Sequence, residues 1–424
     1  MEKIIVVIIL LSAYCCGLPA QEYTLQQLQE MAVKNNRTLK NARMDVTISI
    51  EDRVKARTSF FPQVSGMAMG FQGFNNLVQG SMPAGEYAMP ISLIKKGFVG
   101  SVMAVQPLFQ GGQIINGNKL AALGQEVSQL QLQMTEKDTE LQVAKYYWQL
   151  ISLHANVTTL DSVKVQLDEV YQITQKYVDA GVITHNDLLR VKLKQQEIAS
   201  SRLELENGIN ILKLLLAQMT GIEDENYNIT TSASFMSPSV PATYLKNKEA
   251  SVQNREELAL SQKNEEAKSL NVKMELGKLL PSLAVGVNGH YQTIDSYDNT
   301  NGVVFATLSV PISDWWGGSH AVKKAKLQRL QAENDRMEAQ EKLVIDIQSA
   351  WNNLVEAYQQ IDIAKASVES AQENLRMQRI FYSAGTTTMT DLLDAVTLYT
   401  QAQSQMTTAC ATYQMRVAEY QRKT

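Results

Sequence analysis

Two carboxylates near the end of the chain, Asp391 and Asp394, are the residues whose type and spacing best suit them to chemistry. Residues three apart on a helix share one face, so a helix here would present both carboxylates together. Such a pair can attract cations, or it can stabilise a helix N-terminus, where acidic groups complement the helix dipole. The same face continues through a mostly polar line made of Leu398, Gln401, Gln405, Thr408 and Thr412. We expect this face to lie against water.

No catalytic constellation accompanies the two carboxylates. The sequence has neither a Gly-x-Ser-x-Gly motif nor a phosphate-binding loop. The glycine pairs at 111–112 and 317–318 are predicted to form tight turns at strand-to-helix corners. The histidines fall in four different elements, at positions 154, 185, 290 and 320. We therefore predict that the protein is not an enzyme and has no cofactor.

Charge and sulfur content exclude two further classes of function. The net charge is −4 with acidic and basic residues interspersed, which argues against nucleic acid as a partner. The 17 methionines and four histidines show no ligand-like spacing along the sequence, so the methionines are interpreted as apolar filler. The sequence predicts no metal site.

The first 20 residues are predicted to be a secretory signal peptide. Their apolar run at 4–11 is too short to span a bilayer permanently, and small residues follow it. Cys15 and Cys16 raise the alternative of lipid attachment, which the bulky residue before them disfavours. Cleavage would leave Cys410 as the one cysteine, so we expect no internal disulfide.

The chain repeats one plan twice, which is the most informative feature of the sequence. At an offset of 219 residues, Leu39 and Pro62 recur as Leu258 and Pro281. At an offset of 204, Gly181, Asp187, Leu188 and Leu189 recur as Gly385, Asp391, Leu392 and Leu393. The difference between the offsets places extra length in the first copy. Residues 75–96 contain Gly, Pro and Asn, and we predict that they form this insertion as a long loop.

Each copy is predicted to contain a long helical hairpin of the coiled-coil type. Apolar residues recur in steps of four and three at Leu343, Ile347, Ala350, Leu354, Ala357, Ile361, Ala364, Val368, Ala371 and Leu375. A repeat that averages 3.5 residues predicts a seam against a neighbouring helix. The segments 143–171, 188–216 and 392–413 have the same period. As a single helix, residues 318–381 would be about 95 Å long, which few compact domains could enclose.

Between the helices, the period of the apolar pattern changes to two. In 282–293 the apolar residues Leu283, Val285, Val287 and Tyr291 alternate with polar or small ones, and 303–312 repeats this more weakly. In the first copy, strands are expected at about 63–74 and 97–107, with Met67, Met69 and Phe71 on one side of the first. Each strand has about the length that a tilted membrane strand needs, although a soluble sandwich is the alternative for any single segment.

Four strands leave open edges that lipid cannot satisfy, and the smallest closed barrels need about eight. If these strands enter a membrane, several chains must share one barrel.

Two turns between long helices are alike in the two copies. They read YVDAGVITHNDLL at 177–189 and YSAGTTTMTDLLDA at 382–395. Both resemble the paired periplasmic turns of the TolC-type outer-membrane efflux proteins, and with the duplicated plan the resemblance covers nearly the whole mature chain. It implies a mainly α fold with membrane β-strands, in which long helices form a periplasmic α-barrel. Three copies would contribute four strands each to a shared twelve-stranded β-barrel.

The resemblance also implies roles for individual residues at the periplasmic end. Asp391 and Asp394 match the carboxylates of the family's pore constriction. Threefold symmetry would gather them into one ring, where like-charge repulsion raises pKa values. Tyr382 and Asp187 match a link that holds the tip closed. The second link of the family is altered here, because Thr387 replaces its arginine and Asn186 replaces its hydroxyl-bearing partner, so the latch is expected to be weaker or differently built.

Further residues are assigned by their position in the plan. Gly181 and Gly385 end long helices, and they lie at the tips that contact a periplasmic adaptor in the family. Phe109, Trp315 and Trp316 lie at strand-to-helix corners, where aromatic residues would anchor a barrel at the membrane interface. Core packing is the alternative for one of the tryptophans.

The sequence therefore predicts a signal peptide at 1–20, a first repeat at 21–221, an equatorial linker at 222–242 and a second repeat at 243–424. The predicted function is a passive exit duct of a tripartite efflux or type I secretion system, working with an adaptor and an inner-membrane pump. The predicted location is the outer membrane, with a periplasmic extension. The alternative is a soluble periplasmic coiled-coil scaffold or tether. The pattern does not specify the cargo, and drugs, metal ions, detergents and proteins all remain open.

Overall fold

The computed structural model describes residues 22–75, 78–84, 87–93, 95–224, 227–230, 235–294 and 297–424. The predicted signal peptide, with Cys15 and Cys16, lies outside these residues. The chain divides into two compact units. The helical unit comprises the residues up to Arg43, Gln131–Leu258 and Gln340–Thr424, and the sheet unit comprises Met44–Leu130 and Ala259–Ala339.

The order of helices and strands repeats, as the duplication predicts. The helices are α1 (Leu25–Asn35), α2 (Arg37–Thr58), α3 (Gln113–Asp179), α4 (His185–Thr220), α5 (Lys248–Gln253), α6 (Glu256–Gly277), α7 (Asp314–Ser383) and α8 (Met389–Lys423). The strands are β1 (Glu22–Tyr23), β2 (Gln63–Gln72), β3 (Val78–Ala84), β4 (Tyr87–Leu93), β5 (Lys96–Gln110), β6 (Asn228–Ile229), β7 (Ser282–Ile294) and β8 (Tyr297–Ser309). Among the described helices, none combines the length and apolar composition that crossing a bilayer requires.

The heptad positions form the core of the helical unit. Ile347 and Leu354 on α7 are fully buried, as are Val143 and Leu150 at the corresponding seam of α3. A second cluster lies toward the ends of the hairpins and includes Val163, Leu167, Val191, Leu375 and Leu392. Steps of four and three bring these side chains onto one stripe, so each long helix buries the stripe against its neighbours.

The segment predicted as an equatorial linker packs against the helical unit at several points. Within it, β6 pairs with β1 in parallel, with Tyr23 aligned to Ile229. The Tyr227 side chain is buried, and the Tyr413 hydroxyl of α8 donates a hydrogen bond to the Ser239 carbonyl at 2.5 Å. The Tyr413 hydrogen bond attaches the linker to the last helix of the chain, and the β-pairing attaches it to the start of the described chain.

A four-stranded antiparallel sheet with the order β2-β5-β7-β8 dominates the sheet unit. Its register aligns Met67, Ser101, His290 and Asn301 in one row across the four strands. Strand β8 begins nearer the N-terminus than the expected 303–312, because its first residue, Tyr297, already pairs with Ile294 of β7.

The register assigns each residue to one of two faces. The apolar face carries Val64, Val102, Leu283, Val285, Val287, Tyr291, Val304 and Leu308. The opposite face, called here the polar face, carries Ser101, Asn288, His290, Gln292, Asn299 and Asn301, together with the apolar residues Met67, Met69, Phe71, Val99, Met103, Val105, Val303 and Phe305. The β2 methionines therefore lie on the side opposite the apolar β7 residues. Alternation within one strand identifies residues on a common side, and the pairing to other strands decides which side that is.

The prediction of a long loop at 75–96 was wrong in part. Strands β3 and β4 pair antiparallel within it, from Val78 with Leu93 to Ala84 with Tyr87. Pro83 and Pro90 favoured a loop in the sequence. In a two-stranded ribbon, however, the outer N–H groups need no strand partner, so proline is tolerated there.

Candidate functional site

The two hairpin tips of the helical unit end their long helices in the same way. Gly181 and Gly385 have φ values of +73° and +74°. One residue later, the Val182 and Thr386 amides each donate a 2.9 Å hydrogen bond to the carbonyl five residues earlier. A Cβ added at either glycine would meet no described atom within 4 Å, so the left-handed backbone is what requires glycine.

Thr388 is the N-cap of α8, and Asp391 is the third residue of the helix and its partner in the cap. The Thr388 hydroxyl and amide donate to the Asp391 carboxylate at 2.6 Å and 3.1 Å, and the Thr387 hydroxyl donates at 3.1 Å. In return, the Asp391 amide donates to the Thr388 hydroxyl at 3.2 Å, which completes a capping box. The Thr388 side chain, the Thr388 amide and the Thr387 hydroxyl lower the pKa of Asp391. Within one chain, the hydrogen bonds of the capping box thus lower the pKa of Asp391, which is the opposite of the rise expected if the carboxylates of three chains met in a ring.

An exposed stripe runs along α8 from this cap. Asp391, Asp394, Leu398, Gln401, Gln405 and Thr408 are all exposed, and Thr412 is half-buried. Beside the stripe, a groove of about 510 Å³ separates α8 from α7, and Gln405, Thr408, Glu356 and Gln360 are among its lining residues. The sequence stripe is therefore a water-facing surface in this chain.

Tyr382 and Asp187 lie close together without a direct hydrogen bond. Burial raises the pKa of Tyr382, the Thr174 hydroxyl lowers it, and the Asp187 and Tyr177 charges raise it further. The Thr174 hydroxyl donates its proton to the Val170 carbonyl at 2.7 Å. The buried Tyr382 oxygen has no well-formed hydrogen bond within the described part of the chain. Tyr382 and Asp187 are near enough for their charges to interact, but within one chain they form no hydrogen bond with each other.

A contact that sequence reasoning missed connects the two tips. The Arg190 guanidinium on α4 donates to the Thr390 hydroxyl on α8 at 2.5 Å. Nearby, the Thr387 hydroxyl oxygen also lies 3.0 Å from the Gln378 side-chain oxygen, so Asp391 and Gln378 compete for its one proton. The signal was present in the duplication, because Arg190 occupies the first-copy position equivalent to Asp394.

The three predicted anchors in the sheet unit differ in how far they are engaged. Trp315 is partly exposed, and its Nε1 donates to the Leu279 carbonyl at 3.0 Å. Trp316 is 81% exposed, and Phe109 is also exposed. Of these three aromatic rings, Trp316 is therefore the most available for contact with lipid or solvent.

The geometry defines a class of protein. One sheet face suits lipid and the opposite face suits water, while the long helices pair along buried seams beside a polar stripe. These are the parts of an outer-membrane channel extended by periplasmic helices.

The sequence model described as "Outer membrane efflux protein" matches residues 28–221 and 249–421, so the chain belongs to the outer membrane efflux protein family. The outer membrane protein TolC of Salmonella enteritidis is 22% identical, covering 97% of this chain and 84% of TolC. The outer membrane efflux protein BepC of Brucella suis is also 22% identical, covering 88% of this chain and 77% of BepC. The outer membrane channel CmeC of Campylobacter jejuni shares the fold, with a TM-score of 0.77 at 15% identity over 94% of this chain and 85% of CmeC.

The protein is thus an efflux channel of the outer membrane with a periplasmic extension, in a family of channels. This confirms the resemblance found in the sequence and the predicted mainly helical fold with membrane strands. The family favours the duct over the soluble tether.

Proposed function

We propose that three copies of the chain form the passive exit duct of a tripartite system, with a periplasmic adaptor and an inner-membrane pump as partners. The observation that carries this proposal is the open sheet. Strands β2 and β8 are its edges, and each has a strand partner on one side only among the described residues. Unpaired backbone groups cannot remain exposed to lipid, so the sheet must continue into another copy. Three copies give twelve strands, which is above the minimum of about eight for a closed barrel.

The α8 stripe gives the proposed duct its constriction. In a trimer, Asp391 and Asp394 of three copies would meet in one ring, and multivalent cations would bind there. The capping box fixes the position of Asp391 through one oxygen, Oδ2, and none of the accepted hydrogen bonds uses Oδ1. The cap and the ring are therefore compatible roles for the same side chain.

Tyr382 and Asp187 are proposed to latch the closed tip, and Gly181 and Gly385 to mark the surface that meets the adaptor. The Tyr382 hydroxyl is buried, lacks a well-formed hydrogen bond and lies near the Asp187 charge. A buried hydroxyl gains stability when it acquires an acceptor, which a small shift of the tip would supply. Phe109 and Trp316 are proposed to anchor the barrel at the inner membrane interface.

The faces of the sheet provide a direct test of the duct. We expect Val287→Lys to abolish recovery of the protein as a trimer from the outer membrane, since a lysine at mid-depth on a lipid face costs about 2–4 kcal/mol. The neighbouring control, Asn288→Lys, changes the opposite face and should be tolerated. Release of the wild-type protein with the soluble periplasmic contents would overturn the proposal.

The constriction is tested separately by planar-bilayer conductance of the purified trimer. A trivalent cation should block the wild-type channel, and the Asp391→Asn/Asp394→Asn variant should lose this block. Equal behaviour of the two proteins would remove the carboxylate ring from the proposal and leave the duct intact.

A further inference from the structure

The sheet brings together a group of soft metal ligands that no single stretch of sequence reveals. Met67 on β2 lies opposite Ser101 on β5, and Ser101 lies opposite His290 on β7. Met103 follows Ser101 by two residues on β5, so it lies on the same face. Two thioethers and one imidazole, contributed by three adjacent strands, therefore surround a small serine.

The spacing lets the three side chains converge above Ser101. Directly opposed residues in an antiparallel pair have Cβ atoms about 5 Å apart, and diagonal neighbours about 7–8 Å, which long side chains can span. Met103 is the diagonal neighbour of both Met67 and His290. Since Ser101 has a short side chain, the space above it is left to these three residues.

The surroundings of this cluster are uncharged and include both polar residues and the apolar Val99, which lies two residues from Ser101 on the same face. Asn288 lies opposite Met103, and Asn301 lies opposite His290. The Asn288 side-chain oxygen is buried without a hydrogen-bond partner in the part of the chain that the structure describes, so it is available to the ring N–H of a ligating histidine or to water. Met67 is 62% exposed, so core packing within the chain does not account for its thioether.

We propose that Met67, Met103 and His290 bind a soft monovalent metal ion, Cu(I) or Ag(I), on the water-lined wall of the passage. Thioether sulfur and imidazole nitrogen are ligands that such ions accept, whereas Mg²⁺ and Ca²⁺ need oxygen donors. The described residues contain no group of three or more His, Cys, Asp or Glu placed to hold a metal, so the donors here are of a different kind. Met69, two residues from Met67 on the same face, is a third thioether and a fourth candidate ligand within the group.

The proposal rests on the proposed duct, because the polar face is lined by water only when the sheet closes into a barrel. The metal site goes beyond the proposed duct, because it specifies a class of ion that would bind to the water-lined face of the sheet. A trimer would place three such sites at one level. Binding at a passage must also be weak enough for release, so a moderate affinity is expected.

The test is calorimetric titration of the purified full-length protein with Ag(I) in chloride-free buffer. We expect one Ag(I) more per chain for the wild type than for the triple variant Met67→Leu/Met103→Leu/His290→Gln. Each single variant should bind at least tenfold more weakly. Met44→Leu/Met337→Leu is the matched control, because both methionines are exposed and lie in the same unit outside the sheet. The buried Cys410 is kept in every protein, so any silver it binds cancels in the difference.

Equal stoichiometry in the wild type and the triple variant would overturn the site. A loss that also occurs in the Met44 and Met337 control would overturn it as well. Zn²⁺ binding of equal strength that needs His290 alone would refute the assignment to soft ions. Trimer size and conductance are measured on the same samples. If the wild type forms a conducting trimer but binds no extra silver ion, the metal site alone is refuted. If the wild type forms no trimer, the duct is refuted, and the titration remains valid because the three ligands belong to one chain.

Discussion

Replacing Arg422 by methionine should release the end of α8 from the helical unit. Arg422 is 7% exposed and donates to Asp138 at 2.8 Å and to Glu257 at 3.4 Å. Its Nη1 lies 3.7 Å from Glu256, which is 8% exposed and is also paired with Lys137. The methionine keeps much of the apolar stem and removes the charge, so it isolates the electrostatic part of the contact.

The size of the effect follows from the carboxylates that remain. Removing one partner of a buried ion pair costs about 3–5 kcal/mol, because the other charge stays buried without compensation. Lys137 still neutralises part of the Glu256 charge, so the lower end of that range, about 3 kcal/mol, applies here. If local opening of α8 releases these contacts, amide exchange in its last turns should become about a hundredfold faster.

Hydrogen exchange with mass spectrometry, on peptides covering residues 411–421 of the detergent-solubilised protein, measures this local opening directly. The control is Arg376→Met, which breaks a pair with Glu373 in which both side chains are exposed, and it should leave exchange unchanged. Adding Glu256→Gln to Arg422→Met should restore part of the protection, since one uncompensated charge is removed. Unchanged exchange in the Arg422 variant would refute the assignment of a stabilising role to this network.

Three further expectations follow from the same structure. Burial raises the pKa of Glu256, but Lys137 and Arg422 outweigh it and leave the pKa lowered, as Arg255 does for Glu257. These two carboxylates stabilise the fold fully above the ordinary glutamate pKa, and this stabilisation is lost as the pH falls through their lowered pKa values. The melting temperature should therefore fall more steeply below about pH 4.5 in the wild type than in Arg422→Met. Gly181→Ala and Gly385→Ala should each cost about 1–2 kcal/mol in left-handed strain, seen as faster exchange confined to that tip. Tyr382→Phe should raise the conductance of the closed channel in planar bilayers, and unchanged conductance would exclude the latch.

The seams could be predicted from the sequence because a 3.5-residue period reports burial directly. Ile347 and Leu354 were placed on one stripe by their spacing alone, and both are fully buried. Such a stripe can be recognised from the sequence of a single helix, without knowledge of the helix it packs against. The helix termini at Gly181 and Gly385 were recognisable for the same reason, since a helix end is specified by its neighbours in the chain.

Contacts that depend on pairing between distant segments could not be predicted in this way. Asp138 and Arg422 are 284 residues apart, and no periodicity relates them. The side of the sheet on which Met67 lies depends on its alignment with Ser101 and His290, which alternation within β2 cannot specify. The charge network and the thioether cluster therefore became visible only through the fold.

The duplication accounts for the shape of the two tips, and the differences between the copies separate their roles. Equivalent positions hold Asp187 and Arg190 in the first copy, and Asp391 and Asp394 in the second. The guanidinium of the first copy is bonded to Thr390, so it holds the second tip instead of adding a carboxylate to it. The duplication thus supplies two hairpins of nearly the same shape. The presence of Arg190 in one copy and Asp394 in the other confines the proposed constriction to α8. Replacing Arg190 by aspartate would make the two copies alike in charge at these positions, so each chain would bring two carboxylate pairs to the proposed closed tip instead of one.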